Sequence, residues 1–319
     1  MNKSSRFFIL TTLLILVILL IINPLPYVNG AIDGLKLFIF KVFPVMLPFF
    51  IITRMLTSLG LGYYLSKIFL KPTKFLYNSS PIGGYIFALS SLSGYPLGAK
   101  LIADCVENGS LESDEAKSII AYTSTSGPVF ILGTIGVVLL NDYKAGCIIL
   151  IAHILGAVLN GLLYRGNRYN ENQIVLLKFD MNSIFSDALT ASIYSILQVG
   201  VSIIFLNVIS VAINQLSLIE IIFAICNKFQ INGNVLEGIV YGLVEITNGV
   251  NIISQSNLKT KDIIVIITTI ISFGGLSVYM QSMTFLGKAK ISGKNFLLTK
   301  ITHALIAYVV SSILVAIFY

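Results

Sequence analysis

The sequence predicts an all-α polytopic membrane protein made of two inverted repeats, each with a re-entrant helical hairpin and a broken transmembrane helix. Composition is the first observation behind this fold class. Of 319 residues, 56% are hydrophobic and 11% are charged, and the mean hydropathy is +0.90, whereas about a quarter of a soluble domain is charged. The second observation is that polar breaks with glycine or proline interrupt apolar segments at matching places in both halves. Such interrupted segments are typical of secondary transporters.

An apolar span over residues 7–22 opens the chain, and we assign residues 1–30 to an N-terminal membrane anchor. No small-residue cleavage site follows the span, which favours an uncleaved segment with a cytoplasmic N-terminus over a signal peptide. A second span is predicted at 32–59, where Pro44 and Pro48 should kink the helix. Arg54 near its end is either a functional cation inside the membrane or a side chain that reaches the interface.

Residues 60–78 mix aromatic and aliphatic side chains with Lys67, Lys71 and Lys74. This composition predicts an interfacial helix lying flat on the cytoplasmic side. The following segment, 81–106, is apolar but is broken at Ser93–Pro96. Each arm is too short for a hydrocarbon core that needs about 20 helical residues, so we expect a re-entrant hairpin.

A polar, acidic loop at 107–115 leads into a helix that should begin near Ser113 and continue to about Leu140. Ser124–Pro128 interrupts this helix with small polar residues, glycine and proline. A span at 145–164 then completes the first repeat, which we place at residues 31–166.

A connector, residues 167–187, separates this half from a second repeat at residues 188–319. The predicted elements of the second repeat are a span at 188–213, an interfacial stretch at 216–230, a broken glycine-rich segment at 234–257, a broken helix at 261–287 and a last span at 296–318. The glycine pattern matches Gly83–Gly94 with Gly238–Gly249, and Thr123–Pro128 with Thr269–Gly275. This weak internal symmetry supports the repeat.

The basic residues give an independent indication of topology, because cytoplasmic loops carry an excess of lysine and arginine. With the N-terminus inside and both hairpins re-entrant, the cytoplasmic set is Lys3, Arg6, Lys67, Lys71, Lys74, Lys117, Arg165, Arg168, Lys178, Lys288, Lys290, Lys294 and Lys300. The smaller outer set is Lys36, Lys41, Lys144, Lys228, Lys259 and Lys261. The first hairpin then opens to the cytoplasm and the second to the opposite side.

Two motifs resemble a known family. Ser93-Gly-Tyr-Pro-Leu-Gly-Ala-Lys100 followed by Thr123-Ser-Thr-Ser-Gly-Pro-Val-Phe130 is similar to the YlbJ-type family of sporulation integral membrane proteins, whose members carry the nucleoside-recognition Gate domain. The similarity runs from about Pro44 to the end of the chain. It implies a transporter that moves dipicolinate across the outer forespore membrane of a spore-forming Firmicute, with concentrative nucleoside transporters as related folds.

The residues at the breaks suit an anionic cargo, because half-helix N-termini bind carboxylates through free amides and the helix dipole. Hydroxyl groups could donate hydrogen bonds, Tyr95 could stack on a planar ring, and Lys100 is a nearby cation. The predicted substrate-binding residues are Ser93, Gly94, Tyr95, Pro96, Lys100, Thr123, Ser124, Thr125, Ser126, Gly127, Thr247, Asn248, Asn251, Ser272, Gly274 and Gly275. Any single hydroxyl could instead bond back to a helical carbonyl or bridge two helices.

Glu245 and Arg54 are the predicted coupling or charge residues. A carboxylate inside an apolar segment is costly unless it is paired or protonated, which makes Glu245 a candidate for coupling to a proton or another cation. His153 and His303 have no carboxylate or second histidine at ligand spacing, so we interpret both as hydrogen-bonded structural residues.

No catalytic residues, metal site or cofactor is predicted, because the sequence contains no HExxH, GxSxG or P-loop motif. Cys105, Cys147 and Cys226 lack metal or disulfide spacing. The net charge of +7 fits cytoplasmic loops better than nucleic-acid binding. The expected partners are a small anionic substrate and the lipid bilayer, and homo-oligomerisation stays open. A nucleoside or other small-metabolite transporter and a non-transporting membrane scaffold in spore formation are the alternatives.

Overall fold

The computed structural model describes residues 3–107, 109–166, 184–215 and 233–319, and all the regular elements within these ranges are helical. Five described segments are long and apolar enough to cross a membrane: Pro24–Leu56, Tyr143–Leu163, Ile184–Gln215, Thr260–Leu286 and Gly293–Phe318. The predicted multi-pass helical membrane protein is thereby confirmed. The interfacial stretch predicted at 216–230 and residues 167–183 of the connector lie outside the described residues.

The first helices run further than the sequence predicts. Helix α1 covers Lys3–Ile22, and α2 covers Pro24–Leu37, so the span predicted to start near residue 32 begins at Pro24. A proline in the first helical turn gives up an N–H that has no intrahelical partner, so it starts a helix rather than preventing one. A π-helical turn, π1, follows at Phe38–Val42 and leads into α3, Phe43–Ser58. It directly precedes Pro44, where the proline ring disturbs regular α-helical bonding.

Helix α4, Leu61–Tyr77, coincides with the predicted interfacial segment. Thr73 and Tyr77 are buried, whereas Tyr64, Ile68 and Phe75 are exposed. Its buried side packs on the next helix, where a Cβ on Gly84 would lie 2.8 Å from Phe69. The exposed apolar side chains on the same helix as Lys67 and Lys71 fit a helix at a membrane surface.

The first half contains both of its predicted breaks. Helix α5, Pro81–Ser93, and helix α6, Leu97–Glu107, are separated by the first break, Gly94–Pro96. Helix α7, Ser113–Thr123, ends at the second break, Ser124–Gly127. The chain then continues as a π-helix, π2, at Val129–Leu139, and as helix α8 at Tyr143–Leu163.

The second half begins with helix α9, Ile184–Gln215, and has two shorter breaks. Glu245 alone separates α10, Gly233–Val244, from α11, Ile246–Ser254, and forms the third break. Gly274 alone separates α12, Thr260–Phe273, from α13, Gly275–Leu286, and forms the fourth. The last helix, α14, covers Gly293–Phe318.

One detail of the predicted repeat is wrong. The glycine pattern matches Gly94 with Gly249, but Gly249 lies inside α11 rather than at the third break. A Cβ on Gly249 would collide with the backbone at Gly242 of α10. Gly249 therefore permits close packing of two helices and has a different role from Gly94.

The helices pack around an apolar interior and keep apolar side chains on the outside. Ile131, Ile149, Ile264, Ile267 and Ile271 lie in one buried cluster from π2, α8 and α12. On α14, by contrast, Leu305, Val309, Ile313 and Ile317 are each more than half exposed. An exposed apolar stripe on a long helix is the arrangement expected against lipid.

We expect the two hairpins to open to opposite sides of the membrane, as the distribution of basic residues indicates. The test places one cysteine in the turn after α6 (Ser110→Cys) or after α11 (Asn257→Cys), with the three native cysteines replaced by serine. A membrane-impermeant maleimide should label residue 110 from the cytoplasmic side and residue 257 from the outer side. Labelling of both from one side would contradict the inverted repeat.

Candidate functional site

The breaks surround two cavities that share Ser93, Gly94 and Tyr95. The larger, which we call the vestibule, has a volume of about 520 Å³. The smaller, which we call the crossing pocket, has a volume of about 50 Å³. Because the first break lines both, it separates a space large enough for a small ligand from one with room for only one or two waters.

The vestibule carries the two cations that the sequence singles out. Its lining includes Arg54 of α3 and Lys100 of α6 together with the first break. Helix α9 supplies another part of the wall, and Arg54 Nη2 donates to Ser195 Oγ on that helix at 3.2 Å. Asp187 at the start of α9 also lines the vestibule. The structure therefore brings Arg54 and Lys100 to one cavity, and it adds α9 residues that the sequence does not indicate.

The crossing pocket brings residues of both halves together. Ser126 and Gly127 of the second break line it with the first break, and Glu245 and Thr247 line it from the second half. The complete lining is Met46, Ser93, Gly94, Tyr95, Ser126, Gly127, Phe130, Val199, Glu245, Ile246, Thr247, Ser277, Val278 and Gln281. Glu245 and the Ser93–Lys100 motif thus lie at one site, although Lys100 itself lines only the vestibule.

Glu245 is buried, with 3% of its surface exposed, and it caps helix α11. Its Oε2 accepts a hydrogen bond of 2.8 Å from the backbone N–H of Asn248. The side chain of Asn248 in turn donates to Asn207 Oδ1 on α9 at 2.8 Å. Because the amides at a helix N-terminus carry partial positive charge, the carboxylate of Glu245 already fills the anion-binding position of α11.

Glycines bring the backbone into close contact at or near the breaks. A Cβ on Gly94 would lie 2.5 Å from the backbone nitrogen of Gly127, so the first and second breaks touch through their backbones. In the second half, a Cβ on Gly275 would lie 2.7 Å from the carbonyl oxygen of Gly242. Each hairpin therefore meets the broken helix of its own half at a glycine contact.

His153 on α8 connects the second break with helix α12. Its Nε2 accepts from the backbone N–H of Ser126 at 2.8 Å, and its Nδ1 lies 2.8 Å from Ser272 Oγ. Because Nε2 is the acceptor, a neutral ring carries its proton on Nδ1 and donates to Ser272. His303 on α14 lies 3.0 Å through Nε2 from the His153 carbonyl oxygen. Both histidines are hydrogen-bonded, as expected.

Lys300 on α14 is the residue that the sequence analysis misplaces. It is grouped there with the cytoplasmic cations, but its side chain is 3% exposed and reaches the breaks. Its Nζ donates to Tyr95 Oη at 2.7 Å and to the Ser124 carbonyl oxygen at 3.0 Å. It also lies 4.6 Å from the centre of the Tyr95 ring. A charge pattern along the chain locates a residue in a segment but not the direction of its side chain, and the one sequence signal for Lys300 is that it lies inside the predicted last span, 296–318.

Several predicted substrate contacts line neither cavity in this conformation. Thr123 Oγ1 donates back to the Ile119 carbonyl oxygen at 2.9 Å, which is the structural alternative for a membrane hydroxyl. Asn251 Oδ1 accepts from Lys41 Nζ in π1 at 2.8 Å. The predicted residues outside both linings are Thr123, Ser124, Thr125, Asn248, Asn251, Ser272, Gly274 and Gly275.

Comparison with known proteins gives one relevant similarity. The chain is 25% identical to the sporulation integral membrane protein YlbJ of Bacillus subtilis (strain 168) over 339 aligned residues, which cover 97% of this chain and 82% of that protein. This similarity confirms the resemblance to the YlbJ-type family. No family model and no solved structure matches the chain, so the Gate domain stays a prediction.

Gly94→Ala should destabilise the protein more than alanine at a glycine that also has a positive φ but has free surroundings. Gly94 has φ +79° and Gly109 has φ +76°, but a Cβ on Gly109 would meet nothing within 4 Å. Gly109→Ala should cost about 1 kcal/mol from backbone strain. Gly94→Ala should cost a further ~1–3 kcal/mol because the second break must move. Thermal unfolding in detergent measures both variants, and equal melting temperatures would show that the Gly94–Gly127 contact carries no stability.

Proposed function

We propose that this YlbJ-type membrane protein is a sporulation-associated transporter that moves a small anionic metabolite across the outer forespore membrane, with dipicolinate as the favoured cargo. The supporting observation is the vestibule, a cavity beside the broken helices that contains Arg54 and Lys100. Dipicolinate as cargo follows from the family resemblance of the sequence motifs. The proposal describes a transport protein rather than an enzyme and requires no cofactor.

The anionic end of the cargo should bind on the vestibule side of the first break. Helix α6 begins there at Leu97, and Lys100 lies in its first turn. The free amides of a helix N-terminus and a nearby ammonium group both favour a carboxylate. The equivalent position at α11 is filled by Glu245, which would repel a second carboxylate. The two half-helix ends therefore differ in the charge they accept.

The sizes of the cavities support alternating access. The vestibule is within the roughly 300–1,000 Å³ range of small-ligand pockets, whereas the crossing pocket is far too small for a substituted pyridine ring. Cargo could enter the vestibule in this conformation but could not pass through the crossing pocket. Transport would require the first break to separate from the residues opposite it, which include Glu245 and Ser277.

A nucleoside transporter is the alternative that a specific observation favours. Tyr95 lines both cavities and could stack on a neutral base as well as on a pyridine ring. Neutral nucleosides would gain little from Arg54 and Lys100, so the contribution of these cations distinguishes the two cargoes.

Lys100→Gln should weaken dipicolinate uptake about 10- to 150-fold in apparent affinity, because one charge-assisted contact contributes about 1.5–3 kcal/mol. The measurement is uptake of labelled dipicolinate into proteoliposomes, with nucleosides as competitors. Lys117→Gln is the matched control, since Lys117 pairs with Asp114 on the surface of α7, outside both cavities. Wild-type protein that shows no dipicolinate uptake, or is inhibited equally well by neutral nucleosides, would contradict the anionic cargo.

Glu245→Gln should keep the fold and change the pH dependence of uptake. The Gln carbonyl can still accept the Asn248 N–H but cannot bind or release a proton at this position. Uptake rates across a pH series provide the measurement, and Asp262→Asn in the first turn of α12 is the control. If the rate and the pH profile both equal those of the wild type, Glu245 acts only as a helix cap.

A further inference from the structure

Lys300 is a buried lysine whose hydrogen-bond partners are all neutral. The Tyr95 hydroxyl, the Ser124 carbonyl oxygen and the Tyr95 ring surround its ammonium group. Among the described residues, no carboxylate forms an ion pair with it. Burial of an isolated charge is very costly, so an ammonium group is retained here only where these neutral groups provide the stabilisation that a counter-ion usually provides.

The groups around Lys300 have the chemistry of a cation site. Ser124 follows the last residue of α7, and the carbonyl groups at a helix C-terminus lack intrahelical partners and carry partial negative charge. The Tyr95 hydroxyl donates to the Ile271 carbonyl oxygen in the last turn of α12 at 3.1 Å. Its lone pairs are therefore available to Lys300. Backbone carbonyls, a hydroxyl and an aromatic face are groups that bind small monovalent cations.

The same site connects three of the four breaks. Tyr95 belongs to the first break and Ser124 to the second. The Lys300 stem passes the fourth break, where a Cβ on Gly274 would lie 3.4 Å from Lys300 Cε. A cation at this point therefore links the two breaks of the first half to α14 and to the fourth break in the second half.

We propose that this enclosure is a binding site for a monovalent cation, and that Lys300 fills it with a built-in ammonium group in place of a free ion. The first and second breaks are then held together beside the crossing pocket without sodium, potassium or ammonium from solution. Removal of the side chain leaves a vacant cation site that a small ion can occupy. The proposal concerns the conformation in which the crossing pocket is too small for cargo. It does not depend on which cargo the vestibule accepts.

A purely structural lysine makes a different prediction. If Lys300 only fills space, Lys300→Met should be as stable as the wild type, because Met supplies a similar apolar stem. Under the cation-site proposal the Met variant is destabilised, while Lys300→Arg, which keeps the charge, is more stable than Met.

The test is chemical rescue of Lys300→Ala, followed by thermal unfolding of purified protein in detergent. Methylammonium, ammonium and sodium chlorides are added in separate series. N-methylglucamine chloride at equal ionic strength is the reference, because its cation is too bulky to enter the site. At saturation, at least one small cation should raise the melting temperature by about 2–4 °C. The wild type should show no such rise. Lys41→Ala is the matched control, because Lys41 is a half-buried lysine bonded to the neutral Asn251 but is not enclosed.

Saturable rescue of Lys300→Ala alone supports the proposal. The proposal is overturned if no small cation stabilises this variant, if the wild type responds equally, or if Lys300→Met equals the wild type. Where Lys300→Ala does not yield folded protein, the same salt series is applied to Lys300→Ser, whose short side chain also leaves the enclosure vacant. Uptake by the wild type is measured separately, so a failed transport assay would refute the proposed function and leave the rescue result unchanged.

Discussion

The need to satisfy backbone groups at the breaks is the constraint on which this structure depends. A helix interrupted inside an apolar protein frees amides and carbonyls that lipid cannot hydrogen-bond. At the second break, His153 accepts from the Ser126 N–H and Lys300 donates to the Ser124 carbonyl. At the third, Glu245 accepts from the Asn248 N–H. Side chains from α8 and α14 thus make the second break possible, and these long helices support the site as well as enclose it.

These same contacts determine which charged side chains are already bonded to the backbone of a helix end. Lys300 lies against the carbonyl end of α7, and Glu245 lies against the amide end of α11, so each is placed at a helix terminus of opposite partial charge. Both charges are used within the protein. Arg54 and Lys100 are in a different position, because they line a cavity of about 520 Å³. Under the proposed function, an anion in the vestibule would contact these two cations beside the carboxylate of Asp187.

Local chemistry made the helical membrane class and the positions of several breaks predictable. The breaks at Gly94–Pro96 and Gly274 contain residues that end helices, and an arm too short to cross the membrane reveals an interruption from sequence alone. Side-chain direction was not predictable in this way. Lys300 belongs to a segment with other basic residues, and only the packing of α14 shows that its head group lies inside. The contributions of Ser195 and Asn207 likewise depend on the position of α9, which no pattern within that helix indicates.

Each half contains two breaks, but the breaks of the two halves differ in length. In each half a glycine of the hairpin contacts the broken helix, as at Gly94 and Gly127 in the first half and at Gly242 and Gly275 in the second. The first half interrupts its helices over several residues, Gly94–Pro96 and Ser124–Gly127, whereas Glu245 and Gly274 are single-residue breaks. The backbone of the first break is nevertheless largely paired, since the Gly94 N–H donates to the Ser90 carbonyl oxygen and the Gly94 and Pro96 carbonyl oxygens accept from the N–H groups of Leu97 and Lys100. The two halves therefore differ at the cavities through their side chains: the cations of the vestibule, Arg54 and Lys100, come from the first half, whereas the second half places the carboxylate of Glu245 at the crossing pocket.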